Sequence, residues 1–305
     1  MVERREGVMP PRRRPPRRTP RSVVWRRRIV ALVVLVAAFA VGWFAVASVS
    51  GNDKRAAPPP TTAPPPPKPF RIVFPEGFTR KQMAARVTAV SRIARHERGK
   101  RVRLTQKAYL AATARPRAEP GFGAKALPLE GFLFPATYDF TVRTTSPQLV
   151  AAQLKAFRTN FAKVNLAYAR SKNLTPYDVL IIASMIEKET PAPEERQLVS
   201  AVIYNRLHAR MPLGIDAALR YGLNIPGTES IHESQLADPT PYNLRLHAGL
   251  PPTPIGSPGL ASLQAAAHPA KVNYLYFVAK PDKKHHFFTA SSAAFERYKA
   301  EHGYK

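Results

Sequence analysis

The sequence predicts an α+β protein, a mixed domain of short strands and capped helices set behind one apolar segment long enough to cross a membrane. Three observations carry this. Two β-rich runs, FRIVFPEGF from Phe70 and YLYFVA at 274–279, are short and bounded by turn residues. Around them, apolar residues recur at helical spacing behind Thr and Pro start signals. Residues 29–49 run for 21 residues without a charge. The chain has 305 residues, 45% of them hydrophobic, enough for a sizeable core. It has no cysteine, which excludes disulfides, thiolate metal sites, iron–sulfur clusters and cysteine nucleophiles.

Lys and Arg number 47 against 20 Asp and Glu, a net charge of +27 that points to nucleic acid, an anionic membrane or an anionic wall polymer. Its placement decides among them. Residues 1–28 form a basic, proline-rich tail with no apolar period, read as disordered and cytoplasmic. Residues 29–49 then span roughly 30 Å of hydrocarbon at about 1.5 Å per residue. A cleaved signal peptide is the competing reading, with an apolar region of only about 7–15 residues. The longer run, with Trp43 near its outer end, favours a retained transmembrane helix. The Arg excess before it keeps the N-terminus in the cytoplasm. The expectation is therefore a single-pass protein of the plasma (inner) membrane, with everything after Val49 extracytoplasmic and no nucleic-acid partner.

Residues 50–69 form a Pro-rich linker, whose run AAPPPTTAPPPPKP favours a polyproline II spacer with a reach of about 40 Å. An SH3-type ligand is the other reading of the same prolines.

A small module follows at 70–118. Its strand ends at a Pro75-Glu76-Gly77 turn. Thr79 caps a helix with the stripe Met83, Val87, Val90 and Ile93, and Thr105 starts a second helix carrying Ala108, Tyr109 and Ala112. This module is strongly basic. A solvated helix face and affinity for an anionic wall polymer both account for that charge.

The segment 119–305 holds the motifs. LEGFLFPATYDF (129–140) reads as strand or extended wall. Thr175, Pro176 and Asp178 make a helix start ahead of VLIIASMIEKE, a run apolar nearly all round. Glu187 lies on its Ala183–Ser184 face and Glu189 roughly 160° away at 100° per residue. A carboxyl leaving a buried helix is partly desolvated, which favours its acid form. Spacing alone leaves open that either glutamate is a solvated or salt-bridged helix-end residue. Pro193, Glu194 and Glu195 open the next helix, with Leu198, Val199, Val202, Ile203 and Leu207 as its buried stripe. The two helices should form a hairpin with Glu187 near its corner. Further on, GLPPTPIGSPG (249–259) reads as a rigid loop shaping a cleft, LASLQAAAHPA as a short helix, and the C-terminus as a strand or turn followed by a helix.

Taken in order, LEGFLFPATY, ASMIEKET, VSAVIYNRL, MPL with an Asp, YGL, PYN, GLPPTPI, SPG, SLQAAAHPA, YLYFVA and H-x-F resemble the endolytic murein transglycosylase family (MltG, YceG-like). The resemblance runs from about Phe70 to Phe287. It implies a LysM-like small subdomain at 70–118, a catalytic domain at 119–305, and Glu187, the first Glu of E-K-E-T, as the catalytic acid. The implied reaction cleaves the β-1,4 bond between N-acetylmuramic acid and N-acetylglucosamine in peptidoglycan, leaving 1,6-anhydro ends. Glu189 and Glu195 are supporting candidates, orienting groups or partners of Arg196. Asp216, Tyr242, Asn243 and His285 are substrate-binding candidates, with a structural turn equally open for Tyr242 and Asn243. Wall synthases are implied partners.

The chain departs from the family pattern at Gly214, Ala217 and Ala218, where Gln, Pro and Thr are usual, and at Leu244 and Arg245 after Tyr242-Asn243. Ala294-Phe295 stands where Glu-His is common. No cofactor or metal is implied: His232-Glu233 begins an H-E-x-x pattern, but Leu236 sits where the second His belongs. A lysozyme-type hydrolase and a non-catalytic, peptidoglycan-binding scaffold of the elongation or division machinery are the alternative functions.

Overall fold

The computed structural model describes residues 69–304. The expectations for the basic tail, the apolar run and the linker up to residue 68 lie outside the described residues. Among the described residues no helix is long and apolar enough to cross a membrane.

The architecture is mixed α+β with two small sheets. Strand β1 (Phe70–Val73) pairs antiparallel with β2 (Thr137–Phe140), Phe70 opposite Phe140 and Val73 opposite Thr137. This pairing joins the small module to the following segment, so the expected boundary at 118 is crossed by a strand ladder. Only the last four residues of LEGFLFPATYDF are strand. Leu129, Phe132, Leu133 and Phe134 instead form a buried turn, in which Gly131 adopts φ +86°.

Helix α1 (Arg80–Arg98) starts as expected. The Thr79 side chain accepts the Gln82 N–H, and the Gln82 side chain accepts the Thr79 N–H in return, a reciprocal cap that contributes about 1 kcal/mol. Met83 and Val87 are fully buried, but Ile93 is half exposed and Ala94 takes its place against the core. The stripe continues at i+4 from Val90, because the helix turns 100° per residue and its buried face drifts past Ile93. Helix α2 (Gln106–Ala114) is capped by Thr105 and buries Tyr109, whose hydroxyl donates to Gln153 Oε1 at 2.7 Å. Gln153 belongs to α3 (Ser146–Phe161), a helix with a Thr145–Gln148 capping box and Pro147 in its first turn. Its Phe157 closes an aromatic cluster with Phe122, Phe132 and Phe161 at centroid distances of 4.7–5.7 Å.

After the short α4 (Ala167–Ser171) comes α5 (Pro176–Glu189), the central helix. Thr175 and Asp178 cap each other, and every residue from Val179 to Ile186 is buried. Such a helix cannot sit at a surface; it is surrounded. The expected start of the next helix at Pro193 is a 3₁₀ turn, Pro193–Glu195, and α6 runs from Arg196 to His208. Then follow α7 (Asp216–Leu223), α8 (Glu233–Leu236) and α9 (Leu260–Ala267), the last packed against both α5 and α6. An antiparallel hairpin of β3 (Tyr276–Ala279) and β4 (His286–Thr289) precedes the C-terminal α10 (Ser292–Glu301). The described residues belong to one compact unit.

Candidate active site

The exit of α5 presents three consecutive side chains in different directions. Glu187 faces α9. Its Oε2 accepts the Gly259 N–H at 3.0 Å, and Gly259 is the residue that opens α9. One turn earlier Ser184 donates to the Ile181 carbonyl at 2.7 Å and accepts the Ile255 N–H at 3.0 Å. The Pro- and Gly-rich loop is thus pinned along the Ser184–Glu187 face at two points, the rigid arrangement expected of it. Arg196, first residue of α6, brings a guanidinium nitrogen to 3.9 Å from Glu187 Oε1 and is itself anchored on the Ser262 hydroxyl. The Glu187 side chain is 8% exposed, so the expected partial desolvation holds. Arg196 pairs with this acid and with neither Glu189 nor Glu195.

A further carboxyl arrives from the small module. The Gly77 N–H donates to the Ser257 carbonyl at 2.8 Å and the Ser257 N–H to the Phe78 carbonyl at 2.9 Å, which zips the Pro75–Phe78 turn onto the loop beside Glu187. Glu76 therefore sits at the same place. Burial, reinforced by the charge of Glu187, pushes its carboxyl above the usual range, while Arg196 opposes the shift. Nothing in local spacing reveals Glu76, because its neighbours lie more than a hundred residues away.

Glu189 leaves the opposite face of α5 and lines a cleft of about 780 Å³ with Glu130, Lys188, Asp216, Tyr221 and Tyr242. Burial and the negative charge of Asp216 raise its carboxyl to about 7, against an N–H from Ala217 and the charge of Arg220. Glu130, from the LEGF turn, is buried; both its oxygens accept the Arg80 N–H, at 3.0 and 3.3 Å, and one accepts the Tyr221 hydroxyl at 3.2 Å. It thereby satisfies a free donor at the start of α1, a role the sequence pattern left unread. Burial lowers the Lys188 ammonium, and the charges of Glu130 and Glu187 counter that shift.

The state of Glu189 has a measurable consequence. A carboxyl that binds its proton more tightly when folded gives its full stabilising share below about pH 4.5 and loses it as pH rises through about 7. Glu189→Gln removes the charge and keeps an acceptor for Ala217. The variant is expected to match the parent near pH 4 and to be more stable near pH 9, by on the order of 2 kcal/mol, in thermal melts. Parallel stability curves across that range would place the Glu189 charge in solvent instead.

The remaining candidates are distributed unevenly. Asp216 lies in the cleft, but Arg245 grips both its oxygens at 2.8 and 2.9 Å. Arg245, one of the departures from the family pattern, thus occupies the acid that the resemblance offers to substrate. Leu244, another departure, is core. Tyr242 lines the cleft, meets the Tyr221 ring in a tilted arrangement at 5.2 Å between centroids and shares a 2.7 Å hydrogen bond with Thr253. Asn243 is fully buried, donates to the Leu236 and Asp238 carbonyls at 2.9 Å and accepts the Arg245 N–H. This is the turn-pin arrangement, not one open to a sugar. His285 lies away from the cleft, bridging Asp282 at 2.8 Å and Glu194 at 3.1 Å. These two acids raise its proton affinity, Asp282 more than Glu194. Glu195 is buried against His286.

A carboxyl held at the end of a largely buried helix, with an open cleft on the other face of the same helix, marks an α+β domain built around E-K-E-T. The chain belongs to the YceG-like family, whose pattern matches residues 55–301. It is 37% identical over 181 residues to a protein of Streptococcus pneumoniae named endolytic murein transglycosylase, covering 57% of this chain and 32% of that one. A Bacillus subtilis protein of the same name is 34% identical over 153 residues, 50% of this chain and 42% of that one. The chain thus matches about a third of the length of the pneumococcal relative. A crystal structure of a YceG-like protein from Listeria monocytogenes superposes with a TM-score of 0.65 at 29% identity, covering 76% of each chain.

Proposed function

We propose that this chain is a membrane-anchored endolytic peptidoglycan transglycosylase that uses Glu187 as its acid and base. One observation carries the reading: the first Glu of E-K-E-T is a nearly buried carboxyl fixed by the Gly259 N–H, with Arg196 beside it. Similarity to relatives named endolytic murein transglycosylase supports the substrate class.

In the proposed reaction Glu187 gives its proton to the glycosidic oxygen, which leaves as the 4-hydroxyl of N-acetylglucosamine. The C6 hydroxyl of the N-acetylmuramic acid attacks its own C1, closes the 1,6-anhydro ring, and returns its proton to Glu187. No water is consumed. Hydrolytic glycosidases place two carboxyls across one bond; an intramolecular nucleophile is already positioned, so one acid suffices. Glu187 and Glu189 leave opposite faces of α5, which argues against that pair acting together on a single bond.

The wider setting is part of the proposal. The apolar run at 29–49 anchors the chain with its N-terminus in the cytoplasm and its catalytic domain outside. The module at 70–118 is a LysM-like wall-binding element, and wall synthases are its neighbours during strand synthesis.

Product analysis on purified glycan strands tests the chemistry. Transglycosylation leaves 1,6-anhydro ends that take up no borohydride. Reducing ends that do take it up would establish the hydrolase. A chain inert on every glycan, yet retained by peptidoglycan, would establish the scaffold.

A further inference from the structure

The end of α1 remote from Glu187 carries a dense group of cations. Arg92 and Arg95 on α1, and Lys100, Arg101, Arg103 and Lys107 on the loop and first turn of α2, are all exposed. None of the six forms an ion pair among the described residues. Between residues 77 and 118 the sequence holds a single acid, Glu97. The loop is held against the helix. Gly99 ends α1 at φ +57° with its N–H on the Ala94 carbonyl, and the Lys100 N–H reaches the same carbonyl at 3.4 Å. The Ser91 hydroxyl donates to the Leu104 carbonyl at 2.9 Å, and the Thr88 hydroxyl to Gln106 Oε1 at 3.1 Å. At 100° per residue, Arg95, Arg92, His96 and Ile93 share about 160° of the outer face of α1, with Ala94 opposite them against the core. Ile93 is 50% exposed, a large apolar side chain set among these cations.

We propose that this end of the small module docks on an anionic phospholipid surface, with the Arg and Lys heads against phosphate groups and Ile93 at the acyl-chain boundary. The proposal builds on the anchored reading above. Two observations favour lipid over a soluble polyanion. Ile93 gains nothing from a phosphate polymer, whereas an apolar side chain ringed by cations suits the headgroup boundary of a charged bilayer. The second is the path of the chain. The apolar run ends at Val49 and β1 begins at Phe70, and the linker between them reaches about 40 Å. Strand β1 runs toward the Pro75–Phe78 turn beside Glu187. Helix α1 then runs away from that turn for 19 residues, about 28 Å at a rise of about 1.5 Å per residue. Patch and linker therefore both lead away from the Glu187 site, which docking leaves uncovered.

The chain has no cysteine, so His96→Cys, at an exposed position beside the patch, gives a unique site for a fluorophore. The test reconstitutes the labelled full chain in vesicles whose lipids include nitroxide headgroups, which quench a fluorophore held at the surface. Strong quenching is expected with about 30% phosphatidylglycerol, falling at least about fivefold in phosphatidylcholine alone or in about 0.5 M salt. Combined Arg92→Glu, Arg95→Glu and Arg101→Glu should cut quenching in the anionic vesicles by at least about tenfold, and Ile93→Ser by about threefold. These side chains lie outside the core, and thermal midpoints equal to the parent's will show that folding is intact. Equal quenching in anionic and neutral vesicles overturns the proposal, because the linker alone then keeps the module near the lipid. Quenching unmoved by the charge reversal overturns it as well. So does retention on poly(glycerol phosphate) without quenching in anionic vesicles, a result that assigns the cations to a wall polymer. Flotation with neutral vesicles reads the anchor separately. A chain that stays behind refutes the anchored reading; one that floats, yet is not quenched at position 96 in anionic vesicles, refutes the docking alone.

Discussion

Glu187→Gln is expected to abolish cleavage of purified glycan strands, a loss of at least about 10²–10⁴-fold, the range for removal of a general acid. Folding should survive. Gln offers the same acceptor to the Gly259 N–H, and the contact it loses with Arg196, at 3.9 Å, is longer than a hydrogen bond. Circular dichroism and the thermal midpoint should stay those of the parent, so that lost activity reports chemistry. Glu189→Gln is the comparison, because Glu189 is the other carboxyl of the motif and reaches about 7 in an open cleft. If Glu187 is the acid, the Glu189 variant keeps cleavage within about tenfold. If the outcomes are exchanged, the acid works from the cleft side and strands lie across α7. Either result is decisive, because the two side chains leave α5 in opposite directions and one bound strand meets only one of them.

Local chemistry made part of this fold legible. Thr79, Thr105 and Thr175 announce helix starts by their own hydrogen-bonding capacity, and all three starts are where those residues place them. The apolar run before Glu187 announced a buried helix, and that burial delivers an acid at its exit. Helix α3 carries an equally clear Thr-Ser-Pro-Gln start and a stripe at Leu149, Val150, Gln153, Leu154 and Phe157, but no chemical motif. Other features were not local. Glu76, Glu130 and Asn243 are ordinary polar residues in turns until the chain returns to them. Glu130 meets Tyr221 91 positions along, and Glu76 meets Gly259 183 positions along. Asn243 resembles a ligand-binding amide, but its two amide hydrogens already serve carbonyls of its own loop. Arg245 shows the opposite case: a departure from the family pattern that closes onto Asp216 and so changes what the cleft presents.

Glu195→Ala is expected to cost about 2–4 kcal/mol of stability, since each buried donor left without an acceptor costs about 1–3 kcal/mol. Glu195 sits in the 3₁₀ turn between α5 and α6, at 9% side-chain exposure, opposite His286 at 8%. Its oxygens accept the His286 backbone N–H at 3.0 and 3.1 Å and face the ring Nδ1 at 2.7 Å. A carboxylate only accepts, so Nδ1 must be the donor. Truncation leaves both donors buried without partners and detaches the β3–β4 hairpin from the turn that orients Arg196. Alanine at the neighbouring, exposed Glu194 should leave the thermal midpoint unchanged, since its tie to His285 is a surface one. Glu195→Gln should recover part of the loss, because its carbonyl oxygen still accepts from His286. Activity per folded molecule separates this from a chemical role. If Glu195 braces the hairpin, the variants melt early but cleave normally at low temperature. A variant that folds with the parent's midpoint and fails to cleave would move Glu195 into the reaction, beside Arg196 and Glu187.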